Sequence, residues 1–287
     1  STGTASQVLN SSGSFTWTCN GQYAGTNAAC SATVAAGPSC YTPTAAPVSW
    51  WSGNNTPNDT EPLPSGGGNN GVLENGATYN LGEVGDAFDL TGNAGSSPAD
   101  QYILIGDPVP TDLQIQNAIT LQAWIYVTAP PNGSLPNGGG ALGLIVGSQH
   151  DGTTSGATIF YDGNTNSQNI TGIPPGHIQF QIGNGSWHEY DTTTQVPMNQ
   201  WVLITATRTA NNPARIYYNG VLQQSVTSES AWNGTITYGG SWLAIGQQSD
   251  YNRPFNGLAD EVQIYNVALS QADIAGIYNA GSTGVCQ

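Results

Sequence analysis

The chain has 287 residues, of which 38% are hydrophobic and only 7% charged, and its formal net charge is -15. Its basic residues, Arg208, Arg215 and Arg253, are too few to neutralise a run of phosphates, which excludes nucleic acid and an anionic membrane surface as partners. No run of about 18 apolar residues is present, so no segment reads as a membrane-spanning helix.

The 38 glycines and 17 prolines call for many turns and few long helices, with solubility resting on Asn, Gln, Ser and Thr. Residues 1–40 read as a small disulfide-stapled segment. Ser14 to Cys19 alternates as a short strand, and Cys30 follows a turn region rich in Gly and Asn. Pairing Cys19 with Cys30 closes a hairpin-sized loop and compensates for the core that so small a unit lacks. Cys40 and Cys286 are then left to tie together the two ends of the domain that follows. The 4 cysteines permit three connectivities, so these pairings are expectations.

Residues 41–47 read as an extended linker, and 48–287 as one large β domain. Ile119 to Val127 is the clearest central strand, with Ile119, Leu121, Ala123, Ile125 and Val127 on one face. Leu142 to Val146 is a second apolar strand, Gly176 to Ile182 alternates well, and Trp201 to Thr207 returns to the core. Arg215 to Tyr218 and Val221 to Val226 form hairpin arms around Asn219-Gly220, because both central residues of a type I′ turn need positive φ. Leu258 to Tyr265 reads as a half-buried strand with Leu258, Val262 and Ile264 at even positions and Asp260 interrupting the apolar side. One short helix follows. Ser270 caps it, Asp273 completes the capping box, Leu269 and Ile274 form a hydrophobic staple, and Gly281 ends it. About a dozen short strands between turn-rich loops indicate an all-β sandwich or jelly roll.

Catalytic chemistry is sparse. Glycoside hydrolysis needs two carboxylates about 5–9 Å apart in a cleft. Glu189 and Asp191 are spaced to share a strand face with His188 between them, whereas the adjacent Asp260 and Glu261 are expected on opposite faces. His150, His177 and His188 lack ligand spacing, so a zinc enzyme is not expected. No Gly-X-Ser-X-Gly elbow occurs. The chain therefore reads as one that binds rather than catalyses. Trp187, Tyr190, Trp232, Tyr238 and Tyr251 are candidate stacking platforms for sugar rings, with Asn and Gln reading hydroxyls. Trp50, Trp124 and Trp201 sit in apolar strand patterns and read as core.

The landmarks Trp50-Trp51, Asn69-Asn70-Gly71, Gly82 to Leu90, Ile119 to Val127, Val196 to Trp201, Ile216 to Gly220 and Phe255 to Gly281 occur in an order that resembles a known family. It is the laminin G-like domain of the concanavalin A-like lectin/glucanase superfamily, in the form found in large secreted bacterial proteins. The resemblance covers nearly all of 48–281 and implies a curved jelly-roll sandwich of two antiparallel sheets. It also implies a secreted or cell-surface module for adhesion or carbohydrate binding, with a carbohydrate or protein ligand and a stabilising calcium ion. Carried over position by position, the expected calcium ligands are Asp260, with Asp89 and Glu261 beside it; calcium favours hard oxygen donors. Two alternatives stay open. One is a structural subunit of an extracellular filament or surface layer, self-assembling by adding its N-terminal strand to a neighbouring sheet edge. The other is an atypical glycan hydrolase or lyase.

Overall fold

Strand-length apolar runs and frequent turns fold the chain into two compact units, Ser1–Ser39 and Cys40–Gln287. The computed structural model describes residues 9–11, 14–19, 26–33, 39–61, 68–93, 100–130, 142–148, 154–163, 166–167, 170–171, 173–210, 212–226, 232–240, 242–248 and 253–286. The first unit is a three-stranded antiparallel sheet of β1 (Leu9–Ser11), β2 (Ser14–Cys19) and β3 (Ala28–Thr33). Its register sets Trp17 opposite Cys30 and Cys19 opposite Ala28. The expected Cys19–Cys30 bridge rests on side chains outside the described residues.

In the second unit the strands run β4 (Ser49–Trp51), β5 (Val72–Glu74), β6 (Thr78–Leu81), β7 (Asp86–Asp89), β8 (Tyr102–Gly106), β9 (Ala118–Val127) and β10 (Leu142–Ser148). There follow β11 (Ser155–Asp162), β12 (Asn166–Ser167), β13 (Ile170–Thr171), β14 (His177–Asn184), β15 (Trp187–Thr192), β16 (Trp201–Thr209) and β17 (Arg215–Tyr218). The last are β18 (Val221–Leu222), β19 (Ser225–Val226), β20 (Leu243–Ile245) and β21 (Gly257–Tyr265), then the helix α1 (Gln271–Ala280). One eight-stranded sheet has the order β18-β17-β16-β9-β21-β7-β6, with β4 also pairing β21. The other has the order β19-β15-β14-β11-β10-β20-β8-β5. All strand pairings within both are antiparallel. The jelly-roll sandwich is thus the architecture of this unit.

The core lies between the sheets. Ile119, Leu121, Ala123, Ile125 and Val127 of β9 face Ile178, Phe180 and Ile182 of β14 within one buried cluster. A second cluster lies on the outer face of the first sheet, where Trp50, Trp124, Leu203, Tyr217 and Tyr265 meet Ile274 and Ile277 of α1. Trp201 is partly buried against that cluster. Local signals are met where geometry demands them. Asn219 and Gly220 have φ of 50° and 77°, as a type I′ turn requires. Ser270 accepts from the Asp273 N–H, and the Gly281 N–H donates to the Tyr278 carbonyl at the end of α1.

Cys40 and Cys286 form a disulfide with Cα atoms 4.9 Å apart. The segment 41–47 is bound into the unit rather than running free. Tyr41 N–H donates to the Gly284 carbonyl, Cys286 N–H donates to the Tyr41 carbonyl, and Thr44 is held by Asp273. Among the described residues, no helix is long and apolar enough to cross a membrane.

Candidate functional site

Strand alternation gives the second sheet two different faces. On β11, β14 and β15 the side chains of Ile159, Tyr161, Phe180, Ile182 and Tyr190 enter the core. Their neighbours Asp162, His177, Gln179, Gln181, Glu189 and Asp191 therefore project from the opposite face, and all are buried. Cross-strand register sets Asp162 opposite His177, Gln179 opposite Asp191 and Gln181 opposite Glu189. Glu189 and Asp191 share a face, as their spacing predicts.

These groups form one directed network. The Gln181 amide donates to Glu189 Oε1 at 2.9 Å and to the Gln179 carbonyl oxygen. Gln179 Nε2 donates to Asp191 Oδ1 at 2.9 Å. The same Asp191 oxygen lies 3.1 Å from His177 Nε2, and Asp162 Oδ2 lies 3.6 Å from that nitrogen. His177 Nδ1 is 3.0 Å from the Pro174 carbonyl, so it is the donor there and Nε2 is the atom turned to the carboxylates. Burial pulls the His177 pKa down, but the Asp191 hydrogen bond and the two adjacent carboxylates outweigh it and hold the imidazole above its ordinary value. Asp191 Oδ2 is buried without a hydrogen-bond partner.

Beside this network a cleft of about 610 Å³ opens where β11, β14 and the segment before β16 meet. Pro130, Pro175, Pro197, Met198 and Tyr161 supply its apolar walls, Gln195 a side-chain amide, and Gly163 and Gly176 close it without side chains. Gly163 follows Asp162 and Gly176 precedes His177, so the cleft adjoins the polar network along two strands. Sequence reasoning named none of these cleft residues as ligand contacts.

Of the aromatic residues expected to stack on sugars, Tyr190, Trp232 and Tyr238 come together about Arg208 against the inner core rather than as an open platform. Tyr190 belongs to the inner core. Tyr238 packs against it, with its hydroxyl donating to the Ile115 carbonyl at 2.9 Å. The alternation that puts Glu189 and Asp191 outward puts His188 and Tyr190 inward. Trp232 is flanked by the His188 ring at 4.2 Å and the Arg208 guanidinium at 4.0 Å. Trp187, half-buried at the start of β15, stays nearest to the expected role. Tyr251 lies outside the described residues.

The acidic residues expected to hold calcium divide in two. Asp89 is half-buried and accepts from the Thr91 N–H, the Thr91 hydroxyl and Asn80 Nδ2. Burial raises its pKa, but these donors outweigh burial and leave it below its ordinary value. Asp260 and Glu261 lie instead at a β-bulge in β21, where the register with β9 shifts between Asp260 and Gln263. Glu261 has φ of 51°, and Ala259 and Val262, three residues apart, both enter the core. Both carboxylates between them thus lie on the outer side, which corrects the expectation of opposite faces: strict alternation fails at a bulge. Asp260 Oδ2 accepts from the Val84 N–H at 2.8 Å, while Asp260 Oδ1 and Glu261 Oε2 are buried without partners. Burial pushes Asp260 up to about 7, and burial with the Asp260 charge pushes Glu261 up to about 9. Gly82 makes the close approach possible, since a Cβ there would sit 2.6 Å from Asp260 Oδ2. Two adjacent buried carboxylates with orphaned oxygens fit a hard divalent cation; Asp89, saturated by local donors, does not join them.

Two antiparallel sheets with a helix on one outer face and a polar network on the other define a lectin-type jelly roll. The chain belongs to the concanavalin A-like lectin/glucanases superfamily, whose laminin G-type family model matches residues 96–275. Domain 4 of an extracellular arabinanase from Geobacillus stearothermophilus, solved in complex with arabinotriose, is similar with a TM-score of 0.53 at 19% identity, covering 80% of this chain and 96% of that one. The binding domain of botulinum neurotoxin DC in complex with rat synaptotagmin II is similar with a TM-score of 0.52 at 18% identity. That match covers 80% of this chain and 50% of the toxin domain, so the chain spans about half of that relative. The same toxin domain solved with SialylT gives 0.52 at 16% identity, again covering 80% and 50%. No curated protein matches the chain at a significant level.

Proposed function

We propose that this chain is an extracellular carbohydrate-binding module, with the cleft beside β11 and β14 as its saccharide site. The cleft carries the reading. Its volume of about 610 Å³ suits a small oligosaccharide, and among the described residues its lining is proline rings, Met198, Tyr161, Gln195 and backbone, with no carboxylate, amine or imidazole. Apolar walls with a few fixed polar groups suit a neutral ligand. The arabinotriose complex of a similar domain and the toxin binding domains support a binding role rather than catalysis. The Cys40–Cys286 disulfide supports an oxidising, extracellular setting. Calcium is proposed as a structural ion on Asp260 and Glu261, where it would neutralise buried charge next to the β21 bulge and link β21 to the 82–84 turn.

A glycan array followed by calorimetry with neutral oligosaccharides, arabinotriose among them, tests this reading. Met198→Asp and Gln195→Ala, both on exposed positions, are expected to weaken binding by about tenfold or more while leaving the melting temperature in place. Binding that is undiminished in both variants would move the site elsewhere. An array with no neutral glycan bound would end the carbohydrate reading.

A further inference from the structure

We propose that Asp162, His177 and Asp191 form a binding site for a divalent transition-metal ion of the zinc class. The ligand atoms of these three residues lie within 4.8 Å of one another, and this is the group of its kind among the described residues. The separations suit a small ion. Donors held about 2.1 Å from a shared zinc stand roughly 3.0–3.4 Å from each other. His177 Nε2 lies 3.1 Å from Asp191 Oδ1 and 3.6 Å from Asp162 Oδ2, so a sub-ångström adjustment would seat the ion between them.

Three further features favour a cation at this point. The His177 ring is oriented by its other nitrogen, which donates to the Pro174 carbonyl; this backbone anchor is the usual support of a metal-binding imidazole. Asp191 is fully buried, yet its Oδ2 has no hydrogen-bond partner, leaving a lone pair that a metal would use. Two carboxylates also face one imidazole in a place removed from water, a charge imbalance that a doubly charged ion corrects. Gln179, which donates to Asp191 Oδ1, orients that carboxylate in turn. Nitrogen among the donors selects a borderline ion over calcium, which prefers oxygen alone. The site is distinct from the Asp260–Glu261 pair and does not depend on the glycan reading.

The test is calorimetry of the EDTA-stripped full chain with zinc chloride, with cobalt(II) as a spectroscopic substitute. One zinc is expected per chain, bound about 100-fold or more weakly by His177→Gln and Asp191→Asn, since changes even to residues that only orient a metal ligand reach that range. Asp260→Ala and His188→Gln are expected to retain it. Cobalt(II) in the unsubstituted chain should give the intense visible band of a four- or five-coordinate ion. It should also give one exchangeable hyperfine-shifted proton, from His177 Nδ1–H. If the His177 variant does not fold, these cobalt spectra decide. Absence of zinc uptake, uptake undiminished in a folded His177→Gln chain, or a cobalt spectrum like that of the aqueous ion would each overturn the assignment.

Discussion

Replacing Asp273 with alanine tests how the start of the large unit is held to its only α-helix among the described residues. The side chain is buried, and its carboxylate accepts from Thr44 N–H at 2.9 Å, the Thr44 hydroxyl at 2.9 Å, the Tyr41 hydroxyl at 3.2 Å and the Ser270 hydroxyl at 2.7 Å. The Ser270 cap itself survives, because it accepts from the backbone N–H of residue 273; losing the Ser270 hydroxyl's bond to the carboxylate alone costs about 1 kcal/mol. Hydrogen bonds to a charged acceptor contribute roughly 1.5–3 kcal/mol each but are far from additive. We therefore expect Asp273→Ala to cost about 3 kcal/mol, the excess over the Ser270 bond coming from the segment containing Tyr41 and Thr44. For a unit of this size that lowers Tm by roughly 6–12 °C. Asp273→Asn, which keeps the shape and lets the hydroxyls turn, should cost about half as much.

The pH dependence has a definite sign. Burial raises the Asp273 pKa, but the donors from Ser270, Thr44 and Tyr41 outweigh burial and hold it below its ordinary value of 3.8. Its contribution is therefore present above about pH 4 and lost as pH falls through the depressed folded value. Thermal unfolding followed by circular dichroism from pH 3 to 7 provides the measurement. A loss of only about 1 kcal/mol in the alanine variant would show that Asp273 contributes only its bond with the capping Ser270 and does nothing for the segment before it. A gap between wild type and variant that persists unchanged at the lowest pH would refute the charge argument.

Asp260→Ala is expected to abolish the calcium-dependent rise in Tm and to lower Tm in calcium; an unchanged calcium shift would remove that residue from the site. In EDTA the wild type should lose stability as pH rises from about 4 to about 7, because native Asp260, with its pKa near 7, keeps a proton that the unfolded chain has released. Removing the Cys40–Cys286 bridge by the double Ser substitution should cost on the order of 5 kcal/mol, since it closes a loop with a sequence separation of 246. An unfolding midpoint in denaturant that is insensitive to the substitution would show that the ends are held together by the sheets alone.

Much of the fold was legible because it rests on local rules. The alternation of Ile119 to Val127 named five core residues, and Asn219-Gly220 and Ser270 with Asp273 marked a turn and a helix start. The Cys40–Cys286 bridge followed from setting the other two cysteines aside as a hairpin pair. Two features escaped. The bulge at Glu261 breaks the two-residue period on which face assignments depend, so Asp260 and Glu261 were expected apart and lie on one side. The His177 site is assembled by cross-strand register, which no spacing along the chain records. Its trace was the polar half of the His177–Ile182 alternation, opposite the apolar half that was read. The inward positions of Tyr190 and His188 followed from the same alternation that paired Glu189 with Asp191.

The bond between Cys40 and Cys286 also decides how the large unit responds to tension. Its first residue, Cys40, and Cys286 near its last are covalently joined, with Cα atoms 4.9 Å apart and Tyr41 bonded to both Gly284 and Cys286. A pull applied across those two points passes through the sulfur atoms and leaves the sheets unloaded. With the bond formed, the sandwich is shielded from such a pull. A reductant would transfer the same load onto the two hydrogen bonds that join Tyr41 to Gly284 and Cys286.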